Sequence, residues 1–162
     1  MVERQEINSS EFRVPRTQNE EHRTQYEQLI QEVKQIYDWL DAQIESGIAE
    51  KCEACGKCCD FITFDHRLYV TTLEVMYLAA NLDTSNLKSM QDGICPYNSE
   101  GKCTVYLYRF SGCRIFNCKA DTEIQSQLSE EVLKKFKELC EKYQIPYRYM
   151  ELSCALNQNT QT

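Results

Sequence analysis

The clearest apolar pattern in the chain lies near its start, where apolar residues recur three or four positions apart. This spacing places them along one face of an amphipathic α-helix. Gly47 provides a natural end for that helix. Such a face most often packs on the protein's own core, although pairing with a second copy of the chain is the alternative. The face consists of Tyr26, Leu29, Ile30, Val33, Tyr37, Leu40 and Ile44.

Two further helices are predicted downstream. Thr71 stands three residues before Glu74, which is the spacing of a capping box, and a short apolar run follows. Ser129 is expected to cap a final helix with one apolar face, and Pro146 prevents its continuation. The apolar face of that final helix is formed by Val132, Leu133, Phe136, Leu139, Cys140 and Tyr143.

The remaining segments predict little regular structure. The β-branched and aromatic residues of FITFDHRLYVTT suggest short extended segments on either side of Asp65 and His66. Residues 1–20 are polar and aperiodic and predict a flexible arm, and residues 155–162 predict a polar tail. We therefore expect one small, mainly α domain over residues 21–154, with irregular cysteine-rich loops and at most short strands.

Cysteine usage changes this picture, because ten of the 162 residues are cysteine. The first twenty residues contain no apolar run that would indicate a signal peptide, and no segment is apolar enough for a membrane span. A cytoplasmic location is therefore expected, where thiols stay reduced. In that compartment a cysteine cluster indicates metal binding or catalysis more readily than disulfides.

The charge balance argues against a nucleic-acid partner. The chain carries 25 acidic and 18 basic residues, a net charge of −7. Phosphate binding requires a basic face. The local run of lysines after residue 133 is interleaved with glutamates, so it indicates a solvated helix face.

The segment CEACGKCCDF concentrates the candidate chemistry. Cys52, Cys55, Cys58 and Cys59 lie within eight positions, three of them separated by two residues. Two intervening residues let a tight loop direct its sulfurs to one point, as in zinc sites and iron–sulfur proteins. The pattern departs from the ferredoxin run, whose fourth cysteine would fall at Ile62. Adjacent cysteines point in different directions, so Cys58 and Cys59 serve two metals more easily than one.

A second set of cysteines follows at Cys95, Cys103, Cys113 and Cys118. Pro96 follows the first of them, as proline follows a ligand cysteine in bacterial ferredoxins. Four of the five glycines lie within two residues of a cysteine, which suits loops that wrap a metal. The eight cysteines of both sets would supply two four-sulfur sites, or one site with structural or resolving thiols. Disulfides and free reactive thiols are the other interpretations.

These motifs resemble the CxxCxxCC proteins, described as zinc- or iron-chelating domains. The resemblance rests on CEACGKCC, on the Asp92–Pro96 segment DGICP, and on Cys103, Tyr106, Arg109 and Cys113, over residues 50–120. Phe110 departs from the family, which usually has proline after the arginine. The resemblance implies metal binding by every candidate cysteine except Cys118, which rests on proximity.

The resemblance also brings an enzyme alternative. Flagellin lysine N-methylases carry a similar cysteine motif, which implies a protein-modifying role. The glycine-rich turn of a standard S-adenosylmethionine fold is absent from this sequence, so that activity is not carried over.

Other polar residues near the cysteines have ordinary interpretations. His66 is expected to be a surface or hydrogen-bonded histidine rather than a ligand. Arg109 and Arg114 flank Cys113 and either neutralise a thiolate site, hold an anionic substrate, or pair with surface carboxylates. Cys140 is expected to be buried and inert, and Cys154 remains open between ligand and core.

The sequence therefore predicts a metal-binding cysteine-cluster protein with an iron–sulfur centre, preferred over zinc, and a redox or electron-transfer role. The alternatives are a metal-dependent oxidoreductase or protein-modifying enzyme, a structural-zinc protein that binds an unknown protein partner through a surface such as the first helix, and a thiol-based metal store. No membrane partner is expected. The expected metal ligands are Cys52, Cys55, Cys58, Cys59, Cys95, Cys103, Cys113 and Cys118.

Overall fold

Helices dominate the fold in the computed structural model, which describes residues 20–82 and 87–160. They are α1 (Glu20–Gly47), α2 (Thr72–Asn81), α3 (Ser111–Ile115), α4 (Thr122–Tyr143) and α5 (Leu152–Thr160). The predicted small, single, mainly α domain is confirmed. The predicted N-terminal arm lies, up to residue 19, outside the described residues. Over the described ranges no helix is both long and apolar enough to cross a membrane.

The strands are short and form two-stranded pairs. β1 (Tyr69–Thr71) runs antiparallel to β4 (Tyr149–Glu151), with Val70 opposite Met150. β2 (Asn98–Ser99) pairs with β3 (Lys102–Cys103) in a tight hairpin. The first pair joins the middle of the chain to its C-terminal part, and the second carries Cys103.

Helix α1 packs against α2 and α4 to form the first buried cluster. Leu29, Val33, Tyr37 and Leu40 of α1 are buried, at the spacing that the sequence predicts. The Tyr37 ring meets Phe136 of α4 edge-on, with ring centroids 5.7 Å apart. Each such side chain contributes about 1.5–3 kcal/mol by leaving water. The apolar face of α1 thus covers the protein's own core, so it is not available as the partner surface considered above.

A second buried cluster lies beneath the cysteine loops. It joins β1, the inner face of α2, the segment around Phe110, and α5. Cys95, Cys103 and Cys113 pack against this cluster as partly buried residues. These three cysteines of the second loop therefore rest on an apolar floor.

The capping box predicted at the start of α2 is present. The Glu74 amide donates to Thr71 Oγ1 at 3.4 Å, and the Thr71 amide donates to Glu74 Oε2 at 2.7 Å. The box satisfies two main-chain donors that have no partner within the helix. It also fixes the position of the Glu74 carboxylate, which is fully buried.

Ser129 does not cap the last long helix, contrary to the sequence prediction. Helix α4 begins at Thr122, and Asp121 caps it by accepting hydrogen bonds from the amides of Glu123 and Ile124. Ser129 lies inside the helix, where its hydroxyl donates to the Gln125 carbonyl at 2.8 Å. An aspartate in the first position also interacts favourably with the helix dipole, which explains the earlier start.

Two further segments differ from the predictions. The first extended segment expected in FITFDHRLYVTT is a turn, because the Asp60 carboxylate accepts a hydrogen bond from the Thr63 amide at 2.9 Å. The polar tail expected from residue 155 is instead the continuation of α5 as far as Thr160. Ala155 and Leu156 are buried in the second cluster, and this burial holds the helix in place.

Candidate functional site

The two cysteine-rich loops meet through their main chains. The Cys95 amide donates to the Cys59 carbonyl at 2.8 Å, and the Phe61 amide donates to the Gly93 carbonyl at 2.9 Å. An isolated antiparallel bridge pairs Asp60 with Ile94 between these bonds. The segments after Cys58 and before Cys95 are therefore joined like two strands, although neither forms one.

Glycine is required where the first loop touches the hairpin of the second. Gly56 has φ of +73°, and a Cβ atom there would lie 2.3 Å from the Gly101 carbonyl oxygen. The Asn98 side chain donates to the Gly56 carbonyl at 3.3 Å and so fastens the same contact. A side chain at position 56 would force the loops apart, which explains one of the glycines found beside the cysteines.

Three thiols interact at the junction of the loops. Hydrogen bonding with Cys59, followed by burial, raises the pKa of Cys58 far above its ordinary value. Hydrogen bonding with Cys58 lowers the pKa of Cys59, but the bond to Cys95 and burial outweigh it and raise that pKa to about 11. The bond from Cys59 lowers the pKa of Cys95. The thiols of Cys58, Cys59 and Cys95 therefore lie next to one another at the junction.

Two more thiols lie close to these three. Burial raises the pKa of Cys113 strongly, and the charges of Cys59, Cys58 and Cys103 act in the same direction. The charge of Cys103 also acts on Cys95 and tends to raise its pKa. We call Cys58, Cys59, Cys95, Cys103 and Cys113 the inner thiols. They derive from the first loop, the second loop, β3 and α3, so the fold gathers them from four places.

The other three predicted ligands lie outside this group. Cys52, Cys55 and Cys118 are exposed. Hydrogen bonding to Glu53 raises the pKa of Lys119, and the charges of Cys118 and Cys52 add to this effect, so both thiols lie near that ammonium group. Cys118 is distant from the first loop in sequence, and the fold brings it close to that loop.

A buried asparagine brings Cys118 to the first loop. The Asn117 side chain donates to the Glu50 carbonyl at 2.7 Å and accepts from the Lys119 amide at 3.0 Å. It is 7% exposed. Buried amides are usually fully hydrogen-bonded, and here the bond to Glu50 joins the two segments. The sequence gives no sign of this role, because the partner lies 67 residues away.

Helix α3, which carries Cys113, is positioned by the buried Glu74. Glu74 Oε1 accepts from the amide and from the hydroxyl of Ser111, each at 2.7 Å, and lies 3.5 Å from the Tyr37 hydroxyl. The capping box is the only part of this arrangement that the sequence reveals. Its carboxylate extends from the start of α2 to the start of α3.

None of the ten cysteines forms a disulfide, and the remaining two lie on helices outside the two loops. Cys140 is buried in α4, as predicted, and burial raises its pKa to about 11. Cys154 is exposed on α5. His66 is hydrogen-bonded, as predicted, because its Nε2 donates to the Cys58 carbonyl at 3.0 Å.

The two arginines that flank Cys113 differ in their surroundings. Arg114 donates to Asp41 at 2.6 Å and lies over the Tyr37 ring, 4.2 Å from its centroid. Arg114 therefore has the role of pairing with a surface carboxylate, which was one of the interpretations open from the sequence. Arg109 lies over the Tyr106 ring at 3.9 Å, and its Nε is buried without a hydrogen-bond partner in the described part of the chain.

Within residues 20–82 and 87–160, no group of three or more cysteine, histidine, aspartate or glutamate side chains is arranged to hold a metal ion. Metal binding would require the inner thiols to lose protons and turn toward a common centre. Comparisons of the chain with protein-family models, with curated proteins and with solved structures gave no match.

Proposed function

We propose that this chain is a metal-binding cysteine-cluster protein that holds an iron–sulfur centre or zinc through the loops 52–59 and 95–118. The observation that carries the proposal is the main-chain bond between Cys95 and Cys59. It brings cysteines more than thirty residues apart in sequence to one junction. A site made from two loops needs such a junction before any sulfur can share a metal.

The chemistry of the donors fits the proposed metals. Thiolates are soft ligands that select zinc and iron–sulfur clusters over calcium or magnesium. There are five inner thiols, which is one more than the four ligands that a tetrahedral zinc site or an iron–sulfur cluster needs. Cys52, Cys55 and Cys118 are proposed as ligands of a second site or as exchangeable donors at its edge. Their exposure suits that role.

An iron–sulfur centre is preferred over zinc. The spacing of Cys52, Cys55 and Cys58 and the step from Cys95 to Pro96 are both found in ferredoxins. A bound cluster would supply one-electron transfer, whereas zinc would only cross-link the loops. The apolar floor under Cys95, Cys103 and Cys113 limits access of water on that side, and solvent access is one of the factors that set a cluster's potential.

The same proposal includes a reducing, cytoplasmic environment, because none of the ten cysteines is in a disulfide. The resemblance to the CxxCxxCC proteins supports metal binding and stays a prediction. If the metal is zinc, exposed apolar side chains beside the loops, such as Ile62 and Ile94, offer a surface for a protein partner.

One observation favours an enzyme as the second candidate. Cys113 and Cys52 both line a cavity that also contains Arg109 and Arg114. A metal held by Cys113 would therefore be next to an open space with a cationic group in it, as a metal-dependent oxidoreductase or a protein-modifying enzyme requires.

The proposal is tested by anaerobic purification under reducing conditions, followed by analysis of iron, zinc and acid-labile sulfide and by visible absorption. Iron with sulfide and a broad visible absorption supports the cluster, and stoichiometric zinc in a colourless protein supports the structural site. Cys59→Ser should lose metal, whereas Cys154→Ser, which changes an exposed cysteine outside the loops, should retain it. Folded, reduced protein that contains neither iron nor zinc and takes up neither would contradict the proposal.

A further inference from the structure

A cavity of about 770 Å³ lies between α1 and the segment that runs from the end of the hairpin to α3. This volume is within the range of small-molecule sites, which are mostly apolar with a few polar groups. Much of the wall is aromatic or aliphatic, and includes Tyr37, Ile44, Tyr77, Tyr106, Leu107 and Tyr108. We call it the Arg109 cavity after Arg109, the partly buried cation in its wall; Lys51, the fourth basic residue of the lining, is exposed to solvent.

The other well-buried cation of this cavity is neutralised. Arg114 is paired with Asp41 and donates to the Leu107 carbonyl at 2.7 Å, and its side chain is only 6% exposed. At the cavity's outer wall Lys34 pairs with Asp38 at 2.7 Å. These partners account for the charge of both groups and leave them little capacity to recognise a ligand.

Arg109 differs from both. It forms no ion pair with any carboxylate in residues 20–82 and 87–160, and its buried Nε donates to no acceptor there. Its guanidinium carbon lies over the Tyr106 ring, 3.9 Å from the centroid. Buried donors are rarely left without an acceptor, and the exceptions need an explanation such as an ion or a water molecule. The Nε atom is itself shielded from solvent, so an acceptor that enters the cavity would meet the guanidinium at its terminal nitrogens.

We infer that the Arg109 cavity binds a small monocarboxylate with a flat apolar body. The planar guanidinium matches a carboxylate in a two-point interaction. The tyrosine and aliphatic side chains would cover the apolar body. This inference goes beyond the proposed metal site and does not depend on it, although Cys113 lies in the same wall.

The charges around the cavity disfavour a ligand that carries more than one negative charge. Four basic and four acidic side chains line it, so the wall has no net charge. Glu45 and Glu50 are on the same wall and would repel a ligand with two or more charges. A phosphate ester is therefore a poorer fit than a carboxylate.

Arg109 has one competing role, which is to offset the charge of the inner thiols. Its charge acts on Cys58 and partly opposes the rise in that thiol's pKa. In that case the guanidinium would require no ligand, and its replacement would affect metal content instead. The experiment below separates the two roles.

The test is a titration of the full chain, purified anaerobically, with benzoate. Binding is followed by calorimetry and by the ¹⁵N-detected signal of arginine Nε–H groups. We expect saturable binding and a shift of the Arg109 signal in the unmodified protein.

Arg109→Met should weaken benzoate binding by about 10- to 100-fold, because a hydrogen-bonded charge is lost. Arg109→Lys should be intermediate, since it keeps the charge and loses the planar fork. Arg23→Met, which removes an exposed arginine of α1 paired with Glu27, should not change binding.

Ligand controls define the class. Benzyl alcohol, which has a similar body without the charge, should bind at least about 10-fold more weakly than benzoate. Phenyl phosphate should also bind more weakly. Tighter binding of phenyl phosphate, or equal binding of benzoate by the Arg109→Met variant, would overturn the assignment. So would an unmodified protein that shows no benzoate binding, and loss of metal from Arg109→Met would then assign the guanidinium to the inner thiols. Metal content is measured on every sample. The benzoate result can therefore be interpreted even if the protein binds no metal.

Discussion

Glu74 Oε1 accepts hydrogen bonds from both the amide and the hydroxyl of Ser111, each 2.7 Å long. The two residues are 37 positions apart and both are buried. Glu74 thereby joins the start of α2 to the start of α3, and Cys113 follows two residues after Ser111. A carboxylate that is satisfied from several directions can remain buried, whereas one that loses its partners cannot.

The first prediction follows from this arrangement. Glu74→Gln places an amide nitrogen where one oxygen now accepts, so it faces the donors of Thr71 or Ser111. We expect a loss of about 3 kcal/mol in the free energy of unfolding, since charge-assisted bonds are lost and a donor is left unsatisfied. Urea unfolding measures it. Glu131→Gln, at an exposed position of α4, is the control and should change stability little. Equal stabilities of the two variants would contradict the role given to Glu74.

The second prediction concerns the contact between the loops. Gly56→Ala introduces a Cβ atom 2.3 Å from the Gly101 carbonyl oxygen at a residue with φ of +73°. We expect a loss of at least about 2 kcal/mol, from backbone strain and from steric overlap, together with reduced metal content. Gly47→Ala is the matched control, because its nearest neighbour would be Ile124 Cγ2 at 3.9 Å. That control should be neutral or slightly stabilising. Normal stability and metal content in Gly56→Ala would show that the loops do not need this contact.

The third prediction is a pH dependence at the α1–α4 interface. Glu32 accepts from Lys142 at 2.7 Å and from the Tyr143 hydroxyl at 2.8 Å. The Lys142 hydrogen bond is the main cause that lowers the pKa of Glu32 from 4.5. A carboxyl group with a lowered folded pKa contributes stability above its unfolded pKa and loses that contribution as pH falls through the folded value.

Glu32→Gln should therefore destabilise the protein at neutral pH by about 1 kcal/mol or less, because the Lys142 end of the pair is exposed to solvent. The difference between the variant and the unmodified protein should shrink as pH falls below 4.5. Urea unfolding of both proteins across that range measures the difference. A difference in the free energy of unfolding that stays constant with pH would mean that the charge of Glu32 does not contribute to stability.

The fourth prediction separates two cysteines by their reactivity. Cys140 is 1% exposed and its pKa is raised to about 11, so its reactive thiolate is scarce at neutral pH. Cys154 is exposed. Under native, reducing conditions iodoacetamide should modify Cys140 at least about tenfold more slowly than Cys154, as read by peptide mass spectrometry. In urea the two rates should converge. Rapid native labelling of Cys140 would show that α4 does not hold it as described.

Local patterns gave most of the helical fold. The apolar face of α1 and the capping box of α2 depend on residues a few positions apart, so their spacing is visible in the sequence. The predicted start of α4 was wrong because Ser129 and Asp121 are both good N-cap residues. The sequence does not say how far toward Leu128 the apolar face of the helix extends. The turn after Asp60 was missed because its carboxylate satisfies a main-chain amide that a strand would have used elsewhere.

The candidate site was predictable in its residue types and not in its grouping. Cysteine spacing indicates loops that can hold a metal, and five of the expected ligands, the inner thiols, influence one another electrostatically. Nothing in the spacing distinguishes them from Cys52, Cys55 and Cys118. The supports of the site are equally hidden, because the contacts of Asn117 and Glu74 join residues that are distant in sequence. Such contacts arise from tertiary packing and leave no periodic pattern.

The contact of Gly56 with Gly101 is made by main-chain atoms. The exposed lysines beside them, Lys57 and Lys102, have no part in it. Their charges can be reversed by mutagenesis while the loops stay together. This gives an engineer a way to adjust the electric field at the sulfurs, and with it metal preference or redox potential, without redesigning the backbone.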